Sequence, residues 1–412
     1  MLQMNRPSGG RLHLIAMQAE DRRTLGFLIV LSLSHAVIDL GAGALVALLP
    51  TLREHFALSY TMVGTVMLFS NLTSSVTQPF FGIASDRSKQ RWLLPVSLVF
   101  SGLGLAAIGW MPTYGTLLMC VVFAALGVAA FHPEGAHAAH NLAAGRRVRA
   151  MSIYNVGGNL GYALGTVYAA VLLSLGNGAL SGMTWAFVIP LVLAAFIIRL
   201  LPTWQATETA TMNGQHAVAK ADLPATNWAG TVLVTLLAIL RSIVQLGILT
   251  YLPFYWIDVL KNPATSASYV QLTYLIAGVG GTLVGAPLAD RIGTRKVLVG
   301  AFAILLPLQF MLSRLSGLAL LVSLFVAGFV IVSTFTVTLV LTQDYMPRNL
   351  GLASGLNLGL AFGMGGVGAR VLGMIADRWG VLVVLGTIAA MVPVLLLLAA
   401  VLPPVQKAVR QA

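Results

Sequence analysis

Asn159-Leu160-Gly161-Tyr162-Ala163-Leu164-Gly165 and Asn357-Leu358-Gly359-Leu360-Ala361-Phe362-Gly363 share five residues of seven. Both lie in long apolar runs. Working outward, two further pairs recur at nearly the same offset. Leu49-Pro50 matches Leu252-Pro253, and Asp86-Arg87 matches Asp290-Arg291, each acid-base pair closing an apolar segment. The chain therefore reads as two copies of one unit, and the unit is built from apolar helices.

Of the 412 residues, 58% are hydrophobic and only 9% are charged. A water-soluble domain carries about 25% charged residues, so this composition excludes one. A bilayer core is crossed by about 20 apolar residues in helical form, and twelve such segments fit. The sequence predicts an all-α membrane protein of twelve transmembrane helices in two six-helix bundles. Residues 1–23 read as an N-terminal tail, 24–201 as the first bundle, 202–226 as a polar linker, 227–402 as the second bundle and 403–412 as a C-terminal tail. The first apolar segment is too long for a signal-peptide core and reads as a retained helix. Cys120, the single cysteine, sits in an apolar run and reads as a small buried hydrophobe.

With both termini in the cytoplasm, 18 of the 24 Lys and Arg residues fall on the cytoplasmic side. Four, Arg53, Lys261, Arg314 and Arg378, fall outside; Arg241 and Arg370 lie within helices. This asymmetry sets the orientation and accounts for the net charge of +12 without a nucleic-acid partner. The expected location is a cell (inner) membrane, multi-pass, with a lipid bilayer around a chain expected to be a monomer.

Gly82-Ile83-Ala84-Ser85-Asp86-Arg87, followed by Lys89 and Arg91, resembles the signature between helices 2 and 3 of the major facilitator superfamily. Ala289-Asp290-Arg291-Ile292-Gly293-Thr294-Arg295-Lys296 is its counterpart in the second half. A narrower resemblance is to the fosmidomycin resistance proteins. It rests on Ser34-His35 with Asp39, Gln78-Pro79, Phe131-His132-Pro133-Glu134, Val156-Gly157-Gly158-Asn159, the stretch Ala361-Phe362-Gly363-Met364-Gly365-Gly366-Val367-Gly368, and Leu372-Gly373-Met374-Ile375-Ala376-Asp377. Drug antiporters usually carry Gly-Pro in helix 5 where this chain has Gly165-Thr166. The resemblance implies alternating access, proton-driven efflux of a small amphipathic or anionic drug, and no cofactor. Uptake by symport uses the same residue types and stays open. A rival from another class is an intramembrane metal enzyme.

A charge at mid-membrane costs about 2.5–3.5 kcal/mol on insertion scales, so each buried one needs a reason. Asp39 lies deep in helix 1 with His35 one turn earlier; the pair reads as a proton acceptor and its partner, or as a structural anchor. Glu134 and His132 read as a second proton site or as interfacial polar groups. Glu134, His137 and His140, spaced by three on helix 4, raise a metal site, but no zinc-protease spacing supports it, and no metal is expected. Arg241, with Gln245 one turn on, reads as an anion-recognising cation or as a fixed partner of Asp39. Tyr251, Tyr255 and Tyr274 are candidate cavity lining, with Asn159 and Asn357 as the duplicated polar pair. Gly82, Asp86, Arg87, Arg91, Asp290, Arg291 and Arg295 are candidate gating residues. The resemblance implies that the loop holding Asp86 latches the cytoplasmic side, and Asp86 could cap the start of helix 11.

Overall fold

The computed structural model describes residues 9–87, 91–142, 147–212 and 224–405. The described chain is helical throughout. Helices α1 (Gly9–His55), α2 (Tyr60–Arg87), α3 (Leu93–Ala107), α4 (Tyr114–Asn141), α5 (Arg147–Leu175) and α6 (Val188–Met212) form the first half. Helices α7 (Trp228–Phe254), α8 (Ala267–Ile292), α9 (Thr294–Leu312), α10 (Gly317–Tyr345), α11 (Leu350–Trp379) and α12 (Val381–Ala400) form the second. Eleven of these segments are long and apolar enough to cross a membrane. The exception is α2, whose middle reads Ser70-Asn71-Leu72-Thr73-Ser74-Ser75-Val76-Thr77-Gln78. Those hydroxyls and amides are affordable because α2 packs on α11 of the other half and not on lipid alone.

Two helices overrun the expected limits. α1 begins at Gly9, inside the expected tail 1–23, and α6 runs past Pro202 to Met212, inside the expected linker 202–226. Polarity marks where a helix leaves lipid, not where it ends, because its backbone is hydrogen-bonded internally in either medium. The α6 extension also has something to dock on. Trp204 is fully buried, with its ring 5.3 Å from that of Phe27 on α1.

Helix starts are set locally. Thr113 and Thr116 form a reciprocal capping box at α4, and the Asn227 side chain accepts from the Gly230 N–H at α7. The α8–α9 and α11–α12 corners are single glycines, Gly293 and Gly380, at φ 95° and 85°. Each follows the same Ala-Asp-Arg-x frame, and only glycine adopts that backbone without strain.

Close packing in lipid needs small residues, since two apolar surfaces gain little from leaving it. α1 and α5 meet over Gly157, Gly161 and Gly165; a Cβ at these positions would collide with the Ser32, Ala36 and Leu40 carbonyls. Across the two halves, α2 lies on α11 and α5 on α8. A cluster of groups ties the halves together at the end where α1 passes into α2. Arg53 reaches Asp258 at 3.2 Å and lies 4.2 Å over the Tyr60 ring, and the Tyr60 hydroxyl donates to the same carboxylate at 2.6 Å. Asp377, near the end of α11, accepts from the Tyr60 and Thr61 N–H groups at 2.7 and 2.9 Å, so one half caps a helix of the other. Tyr251 donates to the Ala369 carbonyl at 2.5 Å within the second half.

Candidate functional site

The candidate site has two polar centres, one on α1 and one on α7. Along α1, His35 and Asp39 are one turn apart, and His35 Nε2 lies 3.2 Å from Asp39 Oδ2. α4 brings His132, with Nε2 3.5 Å from Asp39 Oδ1. His35 is held by stacking on Tyr154 of α5, ring centroids 4.1 Å apart. Its Nδ1 faces the Tyr154 carbonyl at 2.9 Å, and His132 Nδ1 faces the Val128 carbonyl at 2.8 Å. A carbonyl oxygen only accepts, so each Nδ1 carries a hydrogen. Both Nε2 atoms therefore point at Asp39 as bare lone pairs unless a proton is added. Each of the two contacts to Asp39 is a hydrogen bond only when one partner holds that extra proton. Asp39 and His132 keep 18% and 29% side-chain exposure, so the centre is reachable.

The second centre is built differently. Arg241 is fully buried. Its Nη1 donates to Gln245 Oε1 at 2.8 Å, its Nη2 to Ser242 Oγ at 3.3 Å, and the guanidinium lies 5.2 Å from the Phe335 ring centroid. Among the described residues no carboxylate comes within ion-pair distance of it; the groups nearest Asp39 are the two histidines. Arg241 Nε and the buried Tyr274 hydroxyl have no hydrogen-bond partner among the described residues, and Tyr274 lies within electrostatic range of Arg241. Tyr162 of α5 stands within the same kind of range of both Asp39 and Tyr274. It was not singled out in the sequence.

The other sequence candidates are dispersed. Glu134 is fully buried and accepts from Arg91 Nη1 at 2.7 Å; His137 lies 3.5 Å from the same Arg91 atom and 3.4 Å from Ser85 Oγ. Glu134 thus pairs with Arg91, which lies just before α3, apart from Asp39 and His132. The helix-4 face Glu134, His137, His140 does not gather ligand atoms; the convergent set among the described residues is His35, Asp39 and His132. Asn159 crosses between the halves to Thr282 at 3.2 Å, whereas Asn357 stays within its own half, donating to Thr342 at 3.1 Å inside the π-helical turn Gly355–Leu360 of α11. Tyr255 bonds the Leu315 carbonyl at 3.2 Å. A Cβ added at Gly82 would stand 3.8 Å from Pro133 Cβ. Asp290 and Arg291 are exposed at the end of α8, and Arg295 bonds the Ala400 carbonyl. The backbones of Asp86 and Arg87 close α2; their side chains, and Lys89, lie outside the described residues.

Arg53, Tyr60, Asp258 and Asp377 were missed as site residues. One signal was present: Ala376-Asp377-Arg378-Trp379-Gly380 repeats the frame of Ala289-Asp290-Arg291-Ile292-Gly293.

A duplicated twelve-helix membrane fold, with a polar centre in each half, defines a carrier that works by alternating access. The Major Facilitator Superfamily model matches residues 31–369, and the chain belongs to that superfamily. It is 34% identical over 386 residues to the uncharacterized MFS-type transporter YfnC of Bacillus subtilis (strain 168), covering 92% of this chain and 93% of that one. It is 31% identical over 391 residues to the fosmidomycin resistance protein of Escherichia coli (strain K12), covering 94% and 95%. Among solved structures, the nucleoside transporter NupG superposes with a TM-score of 0.70 at 14% identity, covering 91% and 98%. The inward-open xylose transporter XylE from E. coli gives 0.71 at 13%, covering 93% and 97%. The likenesses to solved structures are to the fold. The matched proteins are transporters, not enzymes.

Proposed function

We propose that this chain is a proton-coupled efflux carrier for small anionic amphipathic compounds, with fosmidomycin-like phosphonates as the leading class. The observation that carries the reading is Arg241: a fully buried cation whose partners are an amide and a hydroxyl, with Nε and the nearby Tyr274 hydroxyl unsatisfied. A buried charge without a counter-ion is costly, and an anion arriving between the halves would supply one. Similarity to the fosmidomycin resistance protein supports the same class. Asp39, flanked by His35 and His132, is the proton carrier. The orientation follows the Lys and Arg asymmetry, which puts both termini in the cytoplasm of the inner membrane and the Arg53–Asp258–Asp377 cluster at the outer face. In the same reading Asp86 latches the cytoplasmic end, as the resemblance of its loop to the superfamily signature implies, while Asp377 caps α2 at the outer end.

The test is transport in proteoliposomes with an imposed pH gradient. Fosmidomycin should move against the proton gradient in the wild-type protein and not in Arg241→Gln. Equal transport of neutral and anionic compounds by both proteins would sink the reading. Uptake by symport is the second reading, favoured by Gly165-Thr166 in helix 5, where drug antiporters usually carry Gly-Pro. It predicts substrate movement along with protons in the same assay.

A further inference from the structure

We propose that His35, Asp39 and His132 form a binding site for a divalent transition-metal ion of the zinc class. Three donor atoms converge: the ligand atoms of these residues all lie within 4.8 Å of one another. Two ligands bound to one tetrahedral zinc at about 2.0–2.1 Å stand about 3.3 Å apart. The separations here are 3.2 Å for His35 Nε2 to Asp39 Oδ2 and 3.5 Å for His132 Nε2 to Asp39 Oδ1, each imidazole facing its own oxygen of the one carboxylate, so the ion would sit between both oxygens and the two rings. Both rings have their second nitrogen engaged by a backbone carbonyl, Tyr154 for His35 and Val128 for His132. That arrangement fixes the tautomer and aims the Nε2 lone pair inward, as the outer-shell partner of a metal-bound histidine does. Two bare imidazole nitrogens and a carboxylate are a donor set for zinc, cobalt or nickel and not for calcium or magnesium.

A second observation lies on α5. Gly158 faces the meeting point: a Cβ there would collide with His35 Cε1 and Nε2 and stand 2.8 Å from Asp39 Oδ2. Any residue larger than glycine would fill the space beside the donor atoms. The partly exposed Asp39 and His132 leave an entry path to the donor atoms. The site rests on donor geometry alone, independently of the direction or substrate of transport. The ion takes the same lone pairs that a proton on the cluster would take, so proton and metal compete for the site.

The experiment uses purified full-length protein in detergent, with any affinity tag removed, titrated with Co2+ alone. One equivalent should bind with the intense visible absorption of a four- or five-coordinate site, and Zn2+ should abolish it. His132→Ala and Asp39→Asn should each weaken binding by about tenfold or more. Gly158→Ala should weaken it while keeping all three ligands. His137→Ala and His140→Ala should leave it unchanged. The wild-type protein gives a residue-level readout that needs no variant: Zn2+ should protect His132 from diethyl pyrocarbonate, read by mass spectrometry. No cobalt band at millimolar metal, no protection of His132, or binding that survives Asp39→Asn and is lost in His137→Ala would each overturn the proposal. Failure of the transport assay above would leave these results untouched, and the reverse also holds.

Discussion

The first helices of the two halves occupy repeated positions, yet their polar groups are opposite in kind. On α1, Asp39 is met by His35 and His132, and both rings are themselves held by backbone carbonyls. On α7, Arg241 is met by Gln245 and Ser242, with no carboxylate at ion-pair distance among the described residues. The α1 centre sets one carboxylate against two imidazole nitrogens. The α7 centre leaves Arg241 Nε and the Tyr274 hydroxyl without a partner among the described residues. Duplication supplied the scaffold, and divergence of a few side chains gave each half its own charge to handle.

Four experiments would break or sharpen that contrast. The largest effect is expected at Asp39. Asp39→Asn should abolish transport driven by a pH gradient while leaving insertion and substrate exchange intact. Wild-type pH-driven transport in that variant would mean that the α1 centre does not carry the coupling proton.

Glu134→Gln should act on stability and not on coupling. It takes the carboxylate from the buried Arg91, a change that costs about 3–5 kcal/mol when one partner of a buried pair is removed. Thermal unfolding in detergent should show a large drop. An unchanged melting temperature with altered proton coupling would return Glu134 to the proton pathway.

Arg241→Gln should stay folded, because its neutral partners are left with no uncompensated charge. It should lose anionic ligands by about the worth of a charge-assisted hydrogen bond, about 1.5–3 kcal/mol, and neutral ligands much less. Combined with Asp39→Asn, its effect on stability should add, since the two residues share no partner. Recovery of stability in the double variant would show a direct Arg241–Asp39 pair.

The smallest effect is at the cap between halves. Asp377→Ala removes acceptors from the Tyr60 and Thr61 N–H groups, worth about 0.5–2 kcal/mol, enough to shift a balanced two-state equilibrium severalfold. In a Cys120→Ser background, cavity cysteines should label faster from the outer side. Asp86→Ala should do the same from the cytoplasmic side. Unchanged labelling in both would mean that neither carboxylate biases the carrier.

The α1 pair was legible because His35 and Asp39 are one turn apart on a single helix. The remainder of that centre was not. His132 and Glu134 were read together, yet two positions along a helix turn the side chain to nearly the opposite face. One therefore joined Asp39 and the other joined Arg91. Arg53 was counted only as a charge in an outer loop, although its partner Asp258 lies in the other half of the chain.

The sequence by itself determined the membrane class, the twelve helices, the duplication and the orientation-setting charge asymmetry. Those properties are local or additive: apolar length, repeated motifs and the placing of Lys and Arg each act without knowledge of neighbours. Only the tertiary structure decided which buried charges meet. Partner choice depends on which helices cross at the same depth and how each is rotated about its axis. That rotation is set by contacts such as the Gly157, Gly161 and Gly165 seam against α1, where carbonyls and missing side chains fit at ångström scale. It is why the α1 carboxylate found two histidines and the α7 guanidinium an amide and a hydroxyl.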